Sequence, residues 1–449
     1  MNETIVAIST SYLIGAISIV RLSGDRAIEI VNKSFKGKDL SKVASHTINY
    51  GHILDNDEVL DEVMVSVMRA PKTYTKEDVV EINCHGSQFV TQRVLELMIK
   101  NGARLAEAGE FTKRAFLNGR IDLTQAEAVM DVIDASTKES LKLANVALRG
   151  DVRKKIESLR SKLVTCIAKI EVNIDYPEYE DEEQITNDIL LPLLKEVKSD
   201  IETLLEKSEI SEIIKDGIKT AIVGKPNVGK SSLLNGLLRE KKAIVTDIAG
   251  TTRDVVEGKV NIGGIILNLI DTAGIRETRD VIEQIGVEKS LDELNKADLV
   301  ILVFDNSQAL TKEDESLLEK TEGKKRLIIV NKSDLNNKID LTKLDDYILM
   351  SALNEEDICL LEKKIREMYS LNDLSNIDAT YIGNARQKEK LYEALNAINE
   401  ALSSCSKGQV VDIINIDISL AYKCLGDIIG ENSSETLLNE LFGKFCLGK

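Results

Sequence analysis

The chain has no apolar run that approaches the roughly 20 residues needed to cross a membrane, so we predict no transmembrane segment. Its first residues, Met1 to Ile5, lack the basic region and the long apolar core of a secretory signal. The six cysteines lie far apart and form no C-x-x-C pair, which predicts neither a disulfide framework nor a zinc site. Together these absences predict a cytoplasmic protein in a reducing compartment, with no membrane partner.

An excess of positive charge is also missing, because the formal net charge is −17. This balance argues against a protein that grips nucleic acid over its whole surface. It leaves room for a local basic patch, or for a basic partner that holds the RNA. The 449 residues, 43% of them hydrophobic and 30% charged, predict an ordinary globular protein of roughly three domains.

The stretch Gly224 to Ser231 reads G-x-x-x-x-G-K-S, the pattern of a phosphate-binding loop. An apolar run, 218–223, precedes it as a strand would, and a helical run, 232–238, follows. The two glycines let successive N–H groups turn inward on a phosphate. Lys230 would add a cation, and Ser231 a hydroxyl ligand for Mg²⁺. The alternative, a glycine turn before a helix, is disfavoured by this context.

The motif Asn331-Lys332-Ser333-Asp334 follows another apolar run, 327–330, and predicts the base. The Asp334 carboxylate can accept hydrogen bonds from both N1–H and the 2-amino group of guanine, whereas adenine offers no such pair. Polar selection of this kind discriminates strongly. Ser351-Ala352 stands where a backbone N–H would meet guanine O6. The ligand is therefore expected to be GTP rather than ATP.

Two further segments are predicted to sense the γ-phosphate. The loop 246–254 occupies the place of a first switch, in which Thr252 closes on Mg²⁺; a generic Gly/Thr loop is the alternative. Asp271-Thr272-Ala273-Gly274 follows the strand-like run 265–270. Asp271 can hold Mg²⁺ through water, and the Gly274 N–H can sense the γ-phosphate.

A glutamine that would orient the attacking water is absent. Ras-like GTPases place it directly after the glycine of this motif, but here Ile275 stands there and can neither donate nor accept a hydrogen bond. Glu283, further along the second switch, is a plausible polar substitute, and we predict it as the catalytic residue.

The periodicity predicts the domain organisation. Short strands, 5–8, 16–22, 62–68 and 79–84, and a helix at 89–99 indicate an α+β module. Helical stripes then run through 152–170 and 190–205, and return at 391–402 and 416–429. The helical period begins at Asp122, before these stripes, and the spacing of Thr124 and Glu127 predicts a capping box there. We therefore expect a mostly parallel α/β GTPase domain inserted in an all-α domain, after an α+β domain. The boundaries are 1–117, 118–214, 215–373 and 374–449.

The motifs and their flanks resemble the MnmE family of tRNA-modification GTPases, also called TrmE, over the whole chain. The nucleotide motifs alone fit many GTPases. The sequence segments of the N-terminal part and the C-terminal tail are what distinguish this family from the others. These segments are 20–24 (VRLSG), 77–82 (EDVVEI), 109–116 (GEFTKRAF), 118–123 (NGRIDL), 174–177 (IDYP) and 446–449 (CLGK).

The resemblance implies a cytosolic homodimer that works with the FAD-containing MnmG protein as a heterotetramer. Together they add an aminomethyl or carboxymethylaminomethyl group to C5 of the wobble uridine of tRNA. A tetrahydrofolate derivative, 5-formyl or 5,10-methylene, supplies the one-carbon unit. By similarity Arg21, Glu81, Arg120 and Lys449 form the folate pocket. A pterin can pair with a carboxylate, and a glutamate tail with arginine or lysine.

The resemblance also implies a K⁺ ion against the phosphates, held by Asn227, Thr246, Ile248 and Thr251. Glu283 matches a glutamate that orients water through a second water, and the GTP-bound domains are expected to pair across the dimer. Mg²⁺ would be held by Ser231 and Thr252. The expected GTP-binding residues are Asn227, Val228, Gly229, Lys230, Ser231, Ser232, Thr246, Asp247, Ile248, Ala249, Gly250, Thr251, Thr252, Asp271, Thr272, Ala273, Gly274, Asn331, Lys332, Asp334, Ser351 and Ala352.

Some features keep alternatives open. The loop 9–16 departs from the Pro/Gly-rich family pattern, which puts the local shape of the folate pocket in question. The tail at Cys446 fits a prenylation signal poorly, and we predict a reactive or positioning thiol there, with an inert cysteine as the alternative. Without the resemblance, Arg21, Glu81 and Arg120 would be routine surface charges. The second function class is a ribosome-assembly GTPase that binds rRNA, although the acidic chain shows no RNA-binding module.

Overall fold

The computed structural model describes residues 3–175, 186–239, 258–270, 296–369 and 382–449. These residues form two compact units. The first contains 1–130, 148–194 and 396–449, and the second contains 131–147 and 195–395. In the described part of the chain no helix is both long and apolar enough to span a membrane.

A sheet of seven described strands forms the centre of the first unit, in the order β3-β4-β5-β6-β2-β1-β7. All neighbouring pairs are antiparallel except β1 and β7. The predicted strands and the predicted helix of this module are confirmed within one to four residues. The strands are β1 Ile5–Ile8, β2 Ile17–Ser23, β3 Phe35–Lys36, β4 Thr47–Asp55, β5 Glu58–Met68, β6 Val79–His85 and β7 Arg104–Leu105.

The two faces of this sheet differ because side chains alternate along each strand. One face, with Val20, Val65 and Ile82, is buried in a core that includes residues of helices α1 (Ala27–Asn32) and α2 (Gln88–Lys100). On the other face, Ile5 and Ala7 are covered by Phe111 of helix α3 (Glu110–Leu117). Farther along that face Ile17, Ile48, Tyr50 and Met64 are exposed. We call these four residues the open face.

Helices complete the described chain of both units. They are α4 Leu123–Asp134, α5 Lys138–Leu148, α6 Asp151–Asp175, a π-helical turn Thr186–Leu190, α7 Leu191–Asp216, α8 Lys230–Arg239, α9 Lys312–Lys320, a 3₁₀ turn Leu341–Lys343, α10 Glu355–Met368, α11 Ala385–Ser406, α12 Val411–Ile429 and α13 Glu435–Phe442. The stripe of α6 is buried as predicted, except that Ile167 is half-buried and Cys166 is fully buried. In the first unit α6 packs along α12.

The predicted capping box at Thr124 and Glu127 is wrong by two residues. Helix α4 begins at Leu123, and the Asp122 Oδ1 atom accepts from the Gln125 N–H at 2.9 Å. In return, the Gln125 Oε1 atom accepts from the Asp122 N–H at 3.0 Å. An aspartate carboxylate caps a helix as well as a threonine hydroxyl does. Because α4 begins at Leu123, Asp122 lies directly before the helix, and Asp122 and Gln125 form the capping box. Thr124 donates its hydroxyl to Asp122 instead.

The second unit contains a sheet of six described strands in the order β13-β12-β11-β8-β10-β9. Its neighbours are parallel except for the β9–β10 hairpin, which confirms the predicted mostly parallel sheet. The strands are β8 Ile218–Val223, β9 Gly258–Ile262, β10 Ile265–Ile270, β11 Leu299–Asp305, β12 Arg326–Asn331 and β13 Tyr347–Leu349. Strand β11 is buried along its whole length. The carboxyl ends of β8, β11 and β12 share one edge, and the phosphate-loop and base motifs follow there.

Candidate functional site: a nucleotide cleft and a tail-lined pocket

The phosphate loop connects β8 to α8, as the motif requires. An ideal Cβ at Gly229, whose φ is +102°, would lie 2.1 Å from Nδ2 of Asn331, so only glycine fits there. The Lys230 Nζ atom donates to the carbonyl oxygens of Gly224 at 2.7 Å and of Lys225 at 2.8 Å. Burial lowers the pKa of Lys230. The loop therefore holds the ammonium of its own lysine through two main-chain carbonyl groups.

Asn331 joins the phosphate loop to the segment predicted to meet guanine O6. Its side chain is buried, and Nδ2 donates to the Val228 carbonyl at 2.9 Å. Its Oδ1 atom accepts from the Ala352 N–H at 2.9 Å. The phosphate loop, the base motif and the segment with Ala352 are far apart in the sequence, yet all three meet at the Asn331 side chain. This is the arrangement expected if they bind one nucleotide.

Asp334, which we predict to select the base, is exposed three residues after Asn331. The N–H of its neighbour Ser333 donates to the Met350 carbonyl at 3.1 Å, which fixes the motif against the loop that carries Ser351 and Ala352. Both of those residues are buried. A pocket of about 210 Å³ lies next to them and is lined by Ser232, Asn235, Gly236, Ala352, Leu353, Asn354, Glu355 and Ile358. Two predicted residues, Ser232 and Ala352, therefore share one cavity.

Two buried aspartates that the motifs do not include also contact this region. Asp305 pairs with Lys332 and Asp314 with Lys225, each at 2.6 Å. Lys225 belongs to the phosphate loop, and its ammonium also donates to the Thr311 hydroxyl at 3.0 Å. The sequence gives one indication of Asp305, because this residue ends an apolar strand in the same way as Asn331 of the base motif does. Asp314 has a recognisable signal only as part of a capping box with Thr311.

Several predicted residues lie outside the described part of the chain. They are Thr246, Asp247, Ile248, Ala249, Gly250, Thr251, Thr252, Asp271, Thr272, Ala273, Gly274 and Glu283. Of the predicted metal ligands, Ser231 and Asn227 are described. Ser231 lies in the first turn of α8, and Asn227 is exposed in the phosphate loop.

A second cluster lies on the first unit's sheet, where Arg21 and Glu81 are paired across neighbouring strands. The Arg21 Nε atom lies 2.8 Å from Glu81 Oε1, and Nη1 donates to the Gly448 carbonyl at 3.2 Å. The Arg21 guanidinium also lies 5.7 Å from the centre of the Phe111 ring. The C-terminal tail and two predicted folate residues thus meet at one place.

The tail is held against this place by its backbone. The Phe111 N–H donates to the Lys449 carbonyl at 3.2 Å, and the Ser9 hydroxyl donates to the Gly448 carbonyl at 3.2 Å. Gly448 has a φ of +88°, and a Cβ there would lie 2.3 Å from the Ile8 carbonyl oxygen. Cys446 is an exposed free thiol. Ser9, in the loop with the unusual sequence, therefore borders the tail directly.

Arg120 occupies a neighbouring position rather than joining the Arg21–Glu81 pair. Its guanidinium lies 4.8 Å from the centre of the Tyr74 ring, and the Tyr74 hydroxyl lies 3.0 Å from Thr112 Oγ1. Since Thr112 and Phe111 are adjacent, helix α3 links Arg120 to the ring beside Arg21. The Arg21 and Arg120 guanidiniums and the Glu81 carboxylate at these neighbouring positions can form charge-assisted hydrogen bonds with a ligand that has a polar ring and an acidic tail.

The His85 ring and main-chain N–H both contact the buried carboxylate of Asp61. The Asp61 Oδ1 atom lies 2.7 Å from His85 Nδ1, and Oδ2 accepts from the His85 N–H at 2.8 Å. The hydrogen bond to Asp61 raises the pKa of His85. Among the described residues, no group of three or more His, Cys, Asp or Glu side chains could hold a metal ion.

Comparison with known families decides the identity. Residues 4–120 match the family model of the GTP-binding protein TrmE N-terminus, and residues 123–446 match that of the MnmE helical domain. The chain belongs to the MnmE family.

Full-length MnmE relatives are similar over the whole chain. A tRNA modification GTPase MnmE from Bacillus mycoides is 51% identical over 100% of this chain and 99% of its own. One from Lactococcus lactis subsp. lactis is 52% identical over 100% of this chain and 98% of its own. Among solved structures, Era in complex with MgGDPNP and a 16S ribosomal RNA fragment is 33% identical, covering 34% of this chain and 56% of its own. Its TM-score is 0.26, and at that value the likeness carries no conclusion.

Proposed function

We propose that this chain is the GTP-hydrolysing subunit that adds an aminomethyl or carboxymethylaminomethyl group to C5 of the tRNA wobble uridine. The observation that carries the proposal is the identity of about half of all residues, over the full length, with tRNA modification GTPases of the MnmE family. The convergence of the phosphate loop, the base motif and Ala352 on Asn331 supports the GTPase part.

Guanine nucleotide would bind at the carboxyl edge of the six-stranded sheet. Gly229 lets the Asn331 amide approach the phosphate loop closely, and Lys230 would supply the positive charge for the phosphates. The hydroxyl of Ser231 and that of Thr252 are hard oxygen donors, which suits Mg²⁺. Mg²⁺ would supply charge neutralisation at the phosphates. Asp334 would select the base.

Hydrolysis would depend on the switch segments and on pairing of two GTPase domains. Asn227, Thr246, Ile248 and Thr251 would hold K⁺, whose charge acts as an arginine finger does in other GTPases. Support comes from the oxygen-rich character of this set and from Ile275, which cannot orient water. Glu283 would take that role through a second water.

A tetrahydrofolate derivative, 5-formyl or 5,10-methylene, would bind at the Arg21–Glu81 cluster. Arg21, Arg120 and Lys449 are cations that can receive the glutamate tail, and the Glu81 carboxylate can accept from a pterin ring. The hydrogen bonds from the Gly109 and Phe111 N–H groups to the main-chain oxygens of Cys446 and Lys449 support the inclusion of these two tail residues. When bound, the folate would supply the one-carbon unit.

A second copy of the chain would cover the open face, giving a homodimer. Ile48 and Tyr50 are more than 60% exposed there, an unusual concentration of apolar surface on a sheet face. The open face continues the sheet surface that carries Arg21 and Glu81, so pairing would enclose the folate site. The FAD-containing MnmG protein would complete a heterotetramer in the cytoplasm, and tRNA would be the substrate.

The same proposal divides the chain into an α+β folate-binding and dimerisation domain, 1–117, and a helical domain in two parts, 118–214 and 374–449. The GTPase domain, 215–373, would be inserted between those parts. The burial of α6 along α12, from either side of the insertion, supports this division.

Deletion of the gene followed by mass spectrometry of tRNA nucleosides tests the function. We expect the wobble-uridine modification to disappear and to return with the wild-type chain, but not with Lys230→Ala. Unchanged wobble uridines together with defective ribosome assembly would refute the proposal and favour the rRNA-binding class.

A further inference from the structure

Two residues in the nucleotide cleft share an unusual backbone conformation and are bonded to each other. Asn227, in the phosphate loop, has a φ of +64°, and Lys332, in the base motif, has a φ of +63°. The Lys332 Nζ atom donates to the Asn227 carbonyl oxygen at 2.8 Å. Left-handed residues other than glycine each carry an energetic penalty and persist only where their surroundings hold them, often at ligand clamps.

Asp305 provides that holding group. It is 4% exposed at the end of β11, and its Oδ2 atom lies 2.6 Å from Lys332 Nζ. Ser307 donates to Oδ1 from its backbone N–H at 2.9 Å and from its hydroxyl at 2.7 Å. The Gln308 amide donates to Oδ2 at 3.2 Å. Burial raises the pKa of Asp305, but the hydrogen bonds from Lys332 and Ser307 outweigh it and lower the pKa overall.

The segment that carries Asp305 also fixes the rest of the base motif. The Asn306 N–H donates to the Asn331 carbonyl at 2.9 Å, and its Nδ2 atom donates to the Leu335 carbonyl at 3.3 Å. The backbone on both sides of Asp334 is therefore attached to the end of β11. Lys332 is the point at which this attachment reaches the phosphate loop.

We propose that Asp305 is a positioning residue for guanine nucleotide. Its buried carboxylate fixes the Lys332 ammonium on the Asn227 carbonyl, so the base motif and the phosphate loop hold one relative geometry before the ligand enters. A cleft ordered in advance loses less conformational freedom on binding. This inference rests on the proposed guanine-nucleotide function and adds a residue that lies outside its sequence motifs.

A purely structural role for Asp305 makes a different prediction. If Asp305 only stabilised the end of β11, its loss would weaken nucleotide binding whether or not Lys332 were present. If Asp305 acts through Lys332, its loss has no further effect once the ammonium is gone. Double-mutant analysis separates these cases because residues in one network are non-additive.

The experiment measures dissociation constants and dissociation rates of a fluorescent N-methylanthraniloyl-GDP on the full chain. The variants are Asp305→Asn, Lys332→Met and the double variant, with Gln308→Ala as the matched control that removes another donor to the same carboxylate oxygen. We expect Asp305→Asn to raise the Kd by about tenfold, mainly through faster dissociation. The double variant should bind no more weakly than Lys332→Met, and Gln308→Ala should bind like the wild type.

Wild-type affinity in Asp305→Asn, or an equal loss when Asp305→Asn is added to Lys332→Met, would overturn the positioning role. Should Asp305→Asn fail to fold, Asp305→Glu keeps the charge but displaces it by one methylene. Faster GDP release from that variant supports the role, and an unchanged rate overturns it. A wild-type chain that binds no GDP would instead refute the guanine-nucleotide function itself.

Discussion

Arg160 and Glu431 form a two-pronged ion pair between positions that are 271 residues apart in the sequence. Nη1 and Nη2 of Arg160 each lie 2.6 Å from one carboxylate oxygen of Glu431. The guanidinium also lies 4.1 Å from the centre of the Tyr422 ring. The pair connects α6 to a residue just after α12. In the sequence, α6 precedes the strands of the six-stranded sheet and α12 follows them.

Loss of this pair should destabilise the first unit. Arg160 is about nine-tenths buried while the Glu431 side chain is 48% exposed, so truncating one partner should cost roughly 1–3 kcal/mol, below the range for fully buried pairs. We expect Glu431→Gln to be the milder change and Arg160→Ala the more severe one. Urea unfolding followed by circular dichroism measures both. The exposed pair Arg153–Glu157 serves as the control, and a similar loss in Glu157→Gln would contradict the role of burial.

Base selectivity should follow the carboxylate of Asp334. In Asp334→Asn the amide presents a donor to the guanine amino group, so GTP binding should weaken by about tenfold or more, and xanthosine triphosphate should bind better than GTP. Competition of the two nucleotides against a fluorescent GTP analogue measures this. Asp345→Asn, at an exposed acid outside the motif, should change neither affinity. Undiminished GTP affinity in Asp334→Asn would contradict the base assignment.

GTP turnover should be faster in K⁺ than in Na⁺ at equal ionic strength. Na⁺ is smaller and fits poorly where K⁺ is held by several oxygen atoms, so its charge would be misplaced. Asn227→Ala should remove the difference between the two salts, whereas Glu283→Ala should slow turnover in both and leave GTP binding intact. Phosphate release under saturating GTP measures the rates. Equal wild-type rates in the two salts would remove the cation from the mechanism.

Folate binding should be sensitive to the residue before the last. Gly448→Ala places a Cβ against the Ile8 carbonyl in a left-handed conformation, whose strain alone costs about 1–2 kcal/mol in a residue other than glycine. The tail should then leave Arg21, and 5-formyltetrahydrofolate should bind at least about tenfold more weakly, as a shift of 1.4 kcal/mol implies. Titration calorimetry measures the affinity. Leu447→Ala is the control, since Leu447 is exposed.

The His85–Asp61 pair should make stability depend on pH. Because the folded-state pKa of His85 is raised above its ordinary value of 6.5, the protonated ring stabilises the fold. That contribution is complete below the unfolded-state pKa and is lost as pH rises through the folded-state pKa. NMR titration of the His85 ring should show the raised pKa, and Asp61→Asn should lower it. The stability of His85→Gln should lack this pH-dependent step, and a ring that titrates at or below 6.5 in the wild type would contradict the prediction.

The sequence predicted those elements whose signals are local. Strand β8 ends at Val223 and β10 spans Ile265–Ile270, where the apolar runs placed them, and β12 ends at Asn331, one residue beyond its run. Such strands are predictable because an apolar run followed by a polar motif has few alternative structures. The capping box of α4 shows the limit of such signals. Asp122 with Gln125 and Thr124 with Glu127 both have the capping-box spacing. The sequence alone does not show which of the two pairs caps the helix.

Long-range charge pairs could not be predicted in the same way. Arg160, Glu431, Asp305 and Arg114 are ordinary charged residues in the sequence, and only the fold reveals that three of them are buried. Arg114 illustrates this: it is 2% exposed and donates to Glu77 and Glu110. Lys332 and Glu77 stand in sequence motifs named above, but those motifs do not show that Lys332 meets Asp305 or that Glu77 meets Arg114, since such pairs are set by how distant segments pack.

The division of the first unit among three stretches of chain has a consequence for synthesis on the ribosome. Arg160 of α6 cannot meet Glu431 until the chain has grown by a further 271 residues, which takes roughly 15–50 s at common rates of synthesis. During this interval α6 exists without α12, the helix along which it packs. By the end of the interval every described strand of the six-stranded sheet has been made, so that sheet is synthesised before the first unit can be completed.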